Sequence, residues 1–186
     1  MPEPIGEFSD RVVVVTGASQ GIGAATALAF AKAGATVVAG CPTHDAESHR
    51  QAVANWREEA GLPPERVAPV TADVSQTDDV TEFYDTVQKH FGHVDVLVNN
   101  AGINRDHTLA KMTDEEWRAV IAVNLDGTFF NCRGVLPLIT DRTSPIPRTS
   151  STLRARRRSR CRGARKGAVM CWANQIGVVL RRSYQA

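Results

Sequence analysis

The sequence predicts an α/β fold built on a doubly wound parallel sheet, and three observations carry that expectation. Val12 to Val15 is an unbroken β-branched run, which suits a strand buried on both faces better than a helix. A turn containing Gly17, Gly21 and Gly23 follows, and Ala24 to Ala33 is then almost purely helix-forming. Further short apolar runs at 35–39, 67–71 and 94–98 alternate with helical patterns, the arrangement of strand–helix–strand units.

The glycine turn is a phosphate-binding layout. Its glycines let the backbone approach a pyrophosphate, its N–H groups point at the phosphate, and the positive end of the new helix offsets the charge. The spacing is G-x-x-x-G-x-G rather than the commoner G-x-G-x-x-G, so the flanking strand and helix make the assignment. Gly34 stops the first helix, and Ala35 to Ala39 reads as the second strand. In this architecture a carboxylate after that strand would bind the 2′-hydroxyl of NAD and repel the 2′-phosphate of NADP. The residues present are Gly40, Cys41, Pro42, Thr43 and His44, which favours NADP while leaving NAD possible; Thr43, His44 or Arg50 could receive the extra phosphate, with Asp45 close by.

Asp45 to Ala60 reads as a polar surface helix ended by Gly61 and Pro63-Pro64, and Val67 to Thr71 as the third strand. Asp73 then stands at a strand's carboxyl end, where it could accept from an adenine or, with Ser75 and Asp78, cap the helix over Thr77 to His90. Val94 to Val98 is the fourth strand and runs into Asn99-Asn100-Ala101-Gly102, whose small and amide side chains would either admit a ribose or tie the sheet to its neighbours. Thr113 and Glu116 form a capping box ahead of a helix starting near Asp114, with Trp117, Val120 and Ile121 on its apolar face. Asn124 falls inside that helical pattern, where it holds a water, supports a catalytic group, or is a satisfied buried amide.

The formal charge of +2 over 186 residues hides a division. Residues 1–141 hold 10 Lys/Arg against all 20 Asp/Glu, while 142–186 hold 12 Lys/Arg and no acid. The four cysteines are scattered without C-x-x-C, which points to reduced structural thiols and no metal. The N-terminus lacks a basic region followed by an apolar core, and no apolar run reaches membrane-spanning length, so a cytoplasmic protein without membrane partners is expected.

Thr16-Gly17-Ala18-Ser19-Gln20-Gly21-Ile22-Gly23, Asp73-Val74, Asn99-Asn100-Ala101-Gly102 and Val123-Asn124-Leu125 together resemble the short-chain dehydrogenase/reductases. Within that family, Val38 to Cys41 and the run from Asn99 to Phe130 look most like acetoacetyl-CoA reductases and 3-oxoacyl-(acyl-carrier-protein) reductases. The resemblance covers about residues 8–140. It implies a Rossmann-type sheet, usually assembled as a homotetramer, and hydride transfer from NADPH to a 3-oxoacyl thioester. It further implies that Gly17, Ser19, Gln20, Gly21, Ile22 and Gly23 hold the cofactor phosphates, Asp73 and Val74 the adenine, and Asn100, Ala101 and Gly102 the ribose region. Asn124 is then the asparagine of a catalytic tetrad.

The remaining tetrad members, a serine after a fifth strand and a Tyr-x-x-x-Lys pair, have no counterpart. The only tyrosines are Tyr84, followed four positions later by Gln88, and Tyr184. A reductase of this type needs a phenol beside an ammonium to protonate the carbonyl oxygen, so this chain should be inactive. From about Asp141 the sequence turns rich in Pro, Ser, Thr and Arg, which reads as a disordered tail over 141–186 following a domain over 1–140. The expected sheet is therefore incomplete, with strands in the order 3-2-1-4 and later ones missing, an open edge at Val94–Val98 and poor solubility; Gly177 to Leu180 could supply a substitute strand. A truncated or frame-shifted reductase accounts best for the change. The alternatives are a catalytically dead cofactor-binding or partner-binding module, and a nucleic-acid arm formed by the eight basic residues between Arg154 and Lys166.

Overall fold

In the computed structural model, the described residues are 6–139 except 45 and 109, together with the backbone of 168–172 and 177–180. The valine run forms β1 (Val12–Thr16), buried along its whole length. It is followed by α1 (Gly21–Lys32), β2 (Thr36–Cys41), α2 (Ala46–Glu59), β3 (Val67–Thr71), α3 (Thr77–Phe91), β4 (Val96–Asn99), α4 (Asp114–Ile121), α5 (Gly127–Val135), β5 (Ala168–Trp172) and β6 (Gly177–Leu180).

The sheet runs in the order β3-β2-β1-β4-β5-β6. Strands β1 to β5 are parallel and β6 is antiparallel to β5. Alternate side chains of β1 explain why every valine is needed. Val12 and Val14 pack with Phe83, Tyr84, Val87 and Val135 on one face, while Val13 and Val15 pack with Ala27, Ala31 and Val53 on the other. Each fully buried valine contributes about 1.5–3 kcal/mol, so this double coverage makes β1 the centre of the core.

The 3-2-1-4 order is as the sequence predicts, but the sheet extends further than expected. β5 comes from the stretch of Gly167 to Leu180 to which the sequence assigns no period, and it pairs Val96 with Ala168 through to Asn99 with Cys171. The anticipated substitute strand at Gly177–Leu180 exists, though as β6 on the outer side of β5 rather than against β4. Consequently β4 is an interior strand, and the open edge predicted at Val94–Val98 is closed. The reason lies in the backbone: an extended β-capable stretch can satisfy the orphaned N–H and C=O groups of β4 without any particular side-chain period. The expected linker lies outside the described residues. Its flanks are nevertheless close together, because Ile139 bridges Val94 and Ala168 pairs with Val96 on the same strand.

The Thr113 capping box is present in both directions, with Glu116 N–H donating to Thr113 Oγ1 at 3.2 Å and Thr113 N–H donating to Glu116 Oε2 at 3.0 Å. The apolar face expected on α4 is not buried: Trp117 is 56% exposed. Between α4 and α5 the helix widens into a π-helical turn, Ala122–Asp126, with Asn124 at its middle.

Candidate functional site: a cleft at the carboxyl ends of the strands

A cleft of about 480 Å³ opens past the carboxyl ends of β1 to β4. It lies where the strand order reverses between β1 and β4, the position at which open parallel sheets bind their ligands. Of the residues picked out in the sequence, Gly17, Ser19, Gln20, Ile22, Gly23, Asp73, Val74, Asn100, Ala101 and Gly102 all line it. Gly21 and Asn124 do not.

The glycine turn is packed backbone against backbone. A Cβ on Gly17, whose φ is +64°, would come within 2.9 Å of Ala101 Cα, and one on Gly23 would strike the Gly17 carbonyl oxygen. Gly21 needs its hydrogen for conformation alone: φ is +57° and nothing lies within 4 Å of a Cβ there. Gln20 gives α1 no side-chain cap, and the first turn of α1 carries no acid, so its leading N–H groups and positive end remain available to an anion. The backbone here has the form that a diphosphate requires.

Asn99 and Asn100 divide the two roles left open by the sequence. Asn99 is buried and donates to Cys132 Sγ at 3.4 Å, a packing role. The Asn100 amide donates to Thr16 O at 3.0 Å and Gly17 O at 3.1 Å, fixing the glycine turn against the end of β4. Thr16 itself has no separate role in the sequence reading, yet it lines the cleft and its hydroxyl accepts from Asn100 N–H and Ala101 N–H, both at 3.0 Å. Its signal was available as the one hydroxyl closing an apolar strand.

Asp73 also serves two ends. Its Oδ1 accepts from Ser75 N–H at 2.9 Å and Ser75 Oγ at 2.7 Å, while its own N–H donates to Asp79 Oδ2 at 2.9 Å. The helix-capping role expected of Asp73, Ser75 and Asp78 is not seen: the N-cap position of α3 is Gln76, without a side-chain bond, and Asp79 instead ties α3 back to the turn through the Asp73 N–H. Asn124 is committed at both ends of its amide to one residue, accepting from Ile103 N–H at 2.9 Å and donating to Ile103 O at 3.0 Å. Ile103 lines the cleft, so the Asn124 amide holds one residue of the cleft wall in place.

At the end of β2 the wall is Gly40, Cys41, Pro42, His44 and His49; Asp45 lies outside the described residues. Thr43 faces a neighbouring recess, and Arg50 is bonded to Glu47 Oε2 through Nε at 3.2 Å and Nη2 at 2.9 Å. His49 is a lining residue that the sequence reading missed, because its place on α2 is set by how α2 packs on β2. Burial pushes the Cys41 thiol up to about 11, against a smaller downward pull from Arg50, so it is a neutral wall residue. Tyr84 is no substitute proton donor: it is buried beside α5 and donates to Asn131 Oδ1 at 3.1 Å. Among the described residues, no group of three His, Cys, Asp or Glu could hold a metal, and no helix is long and apolar enough to cross a membrane.

The short chain dehydrogenase family model matches residues 11–177, which reaches past the motifs and into β6. This chain belongs to the short-chain dehydrogenase/reductase family. It is 40% identical over 144 residues to the 3-oxoacyl-(acyl-carrier-protein) reductase of Thermotoga maritima, covering 77% of this chain and 56% of that protein. It is 40% identical over 119 residues to the acetoacetyl-CoA reductase of Allochromatium vinosum, covering 64% of this chain and 47% of that protein. A solved short-chain dehydrogenase/reductase from Brucella melitensis, titled a glucose/ribitol dehydrogenase, superposes with a TM-score of 0.64 at 35% identity over 73% of this chain and 55% of that one. The chain therefore spans about half the length of the curated relatives it matches.

Proposed function

We propose that this chain binds NADP(H) in the cleft, and that the reaction for which the cleft is built is reduction of a 3-oxoacyl thioester. The observation that carries the reading is the glycine turn itself: an uncapped α1 N-terminus, with Gly17 and Gly23 too close to backbone for any side chain, held against the end of β4 by Asn100. The N–H groups of residues 19–23 would hold the diphosphate. Asp73 Oδ2, which accepts no hydrogen bond among the described residues, would accept from the adenine, and Asn100 to Gly102 would lie along the nicotinamide ribose. The residues leaving β2, Gly40 to His44, carry no carboxylate in the sequence, which favours the 2′-phosphate, although Asp45 follows directly and NAD would still fit. When bound, the nicotinamide supplies a hydride to the substrate carbonyl. Likeness to two thioester reductases supports that substrate class.

The 186 residues contain no Tyr-x-x-x-Lys, so the chain holds the cofactor but lacks the phenol that would deliver the accompanying proton. Titrating NADPH and NADH into the full chain by calorimetry, then following NADPH oxidation with acetoacetyl-CoA, tests both halves. Binding without turnover is expected. Failure to bind either dinucleotide overturns the reading, and turnover would overturn the claim that the proton donor is lacking.

A further inference from the structure

We infer that the outer edge of β6 pairs with the same edge of a second copy of this chain, antiparallel about a two-fold axis, so that two sheets join into one and assembly stops at the dimer. Among the described residues the edges of the sheet are β3 and β6, and they are built differently. Just past β3 the Ala72 N–H donates to Cys41 O of β2 at 2.8 Å. Backbone groups alternate from side to side, so Ala68 and Val70 also face β2 while Val67, Pro69 and Thr71 face outward. Pro69 therefore removes the middle outward donor, one of the ways in which sheets blunt an edge. β6 carries no such device. Its residues, Gly177, Val178, Val179 and Leu180, include no proline and no charge, and among the described residues no strand lies beyond them.

The sequence around β6 suits its own copy in one orientation. Arg181 and Arg182 directly follow Leu180, so two β6 strands side by side in parallel would set these cations against one another, which is destabilising. Antiparallel pairing centred on Val178 and Val179 instead sets Arg181 opposite Ile176 and Arg182 opposite Gln175, and each strand's cations meet neutral residues at the far end. It also sets Val178 against Val179, a pair of β-branched residues of the kind that stabilises neighbouring strands. The new pair continues the antiparallel sense in which β6 already meets β5. A two-fold contact uses the same edge of both copies, so only the β3 edges are left to propagate, and Pro69 blocks them. So short a strand buries little surface, and half of the chains should be paired at about 10 µM rather than at nanomolar concentration.

Sedimentation velocity on the full chain from about 1 to about 100 µM, with residue-resolved hydrogen exchange at both ends of that range, tests the pairing. A shift from monomer to dimer is expected. The β6 amides turned away from β5 should gain about tenfold in protection at the higher concentration, while those turned toward β5 hold theirs. Val178→Pro and Val179→Pro separate the two sides of the strand, because one of these adjacent nitrogens faces β5 and the other faces out. Both variants should lose the dimer, and the one that removes the outward donor should keep the melting midpoint of the wild type when dilute. Should both melt early, the exchange comparison on the wild type decides. A chain that stays monomeric, a dimer whose β6 amides gain no protection, a dimer that survives the proline that leaves melting unchanged, or growth beyond two copies overturns the inference.

Discussion

Thr16 and Asn100 are joined twice: the Asn100 N–H donates to Thr16 Oγ1 at 3.0 Å, and the Asn100 side-chain amide donates to the Thr16 carbonyl at 3.0 Å. The end of β1 and the end of β4 are thereby locked together at the floor of the cleft, and every residue proposed to touch the diphosphate or the ribose hangs from that junction. Thr16 is 3% exposed, so no water stands ready to replace its hydroxyl. Thr16→Val keeps the shape but leaves the N–H groups of Asn100 and Ala101 without their acceptor, at about 1–3 kcal/mol for each unsatisfied group. The urea midpoint should fall with an unchanged slope, and NADPH affinity should drop with it. Thr16→Ser, which retains the oxygen, should lose much less on both counts.

The glycine turn makes a sharper prediction, because its glycines are required for different reasons. At Gly21 an alanine meets nothing but must adopt φ of +57°, at about 1–2 kcal/mol of backbone strain. At Gly23 an alanine would strike the Gly17 carbonyl and stand 2.5 Å from Asn100 Nδ2, forcing α1 away from the turn. Gly21→Ala should therefore melt somewhat earlier and still bind NADPH, whereas Gly23→Ala should weaken binding by more than about tenfold. Paired thermal melts and cofactor titrations of the two variants check the order; equal effects on binding would show that the turn is not packed in this way.

Much of this was legible in the sequence. The valine run, the glycine spacing and the capping box each follow from local chemistry, and all lie where the residues indicate. What could not be read was set by tertiary partners. Asn124 stands out in the sequence as an amide inside a helix, but the residue it holds, Ile103, is 21 positions away and is brought to it by how the π-helical turn folds back. His49 looks like helix surface until α2 is packed against β2. β5 shows no usable periodicity because its pairing with β4 is made by the backbone, so the sequence suggests an edge where the structure has an interior strand.

Cys41 gives the cleft a pH signature of its own at the alkaline end. Burial raises its thiol from 9.0 to about 11, so the folded chain holds that proton over a range in which the unfolded chain has released it. The stabilising contribution is complete below about pH 9 and is lost as pH rises toward 11. Between those values stability should decline in the wild type and decline less in Cys41→Ser, measured as urea midpoints across the range. For the same reason native Cys41 should resist iodoacetamide at pH 8 and react once the chain is unfolded, which peptide mass spectrometry would show.

The last prediction concerns whether β4 has a neighbour. Backbone N–H groups alternate between the two sides of a strand, and Asp95 N–H donates to Val12 O in β1 at 2.9 Å while Val94 N–H donates to Leu138 O on the opposite side at 2.9 Å. By that alternation Leu97 N–H points to β1, and the N–H groups of Val96 and Val98 point to β5, whose register sets Val96 opposite Ala168 and Val98 opposite Met170. Hydrogen exchange can therefore interrogate the two edges of one strand separately. With β5 in place, the amides of Val96 and Val98 should be protected to nearly the same degree as that of Leu97, because opening either ladder would require the sheet to part. In a chain ending at residue 167, Leu97 should keep part of its protection while Val96 and Val98 exchange quickly, and the exposed edge should bring aggregation. Rapid exchange at Val96 and Val98 in the full chain would mean that β4 is an edge after all, and that the strands following residue 167 do not complete the sheet.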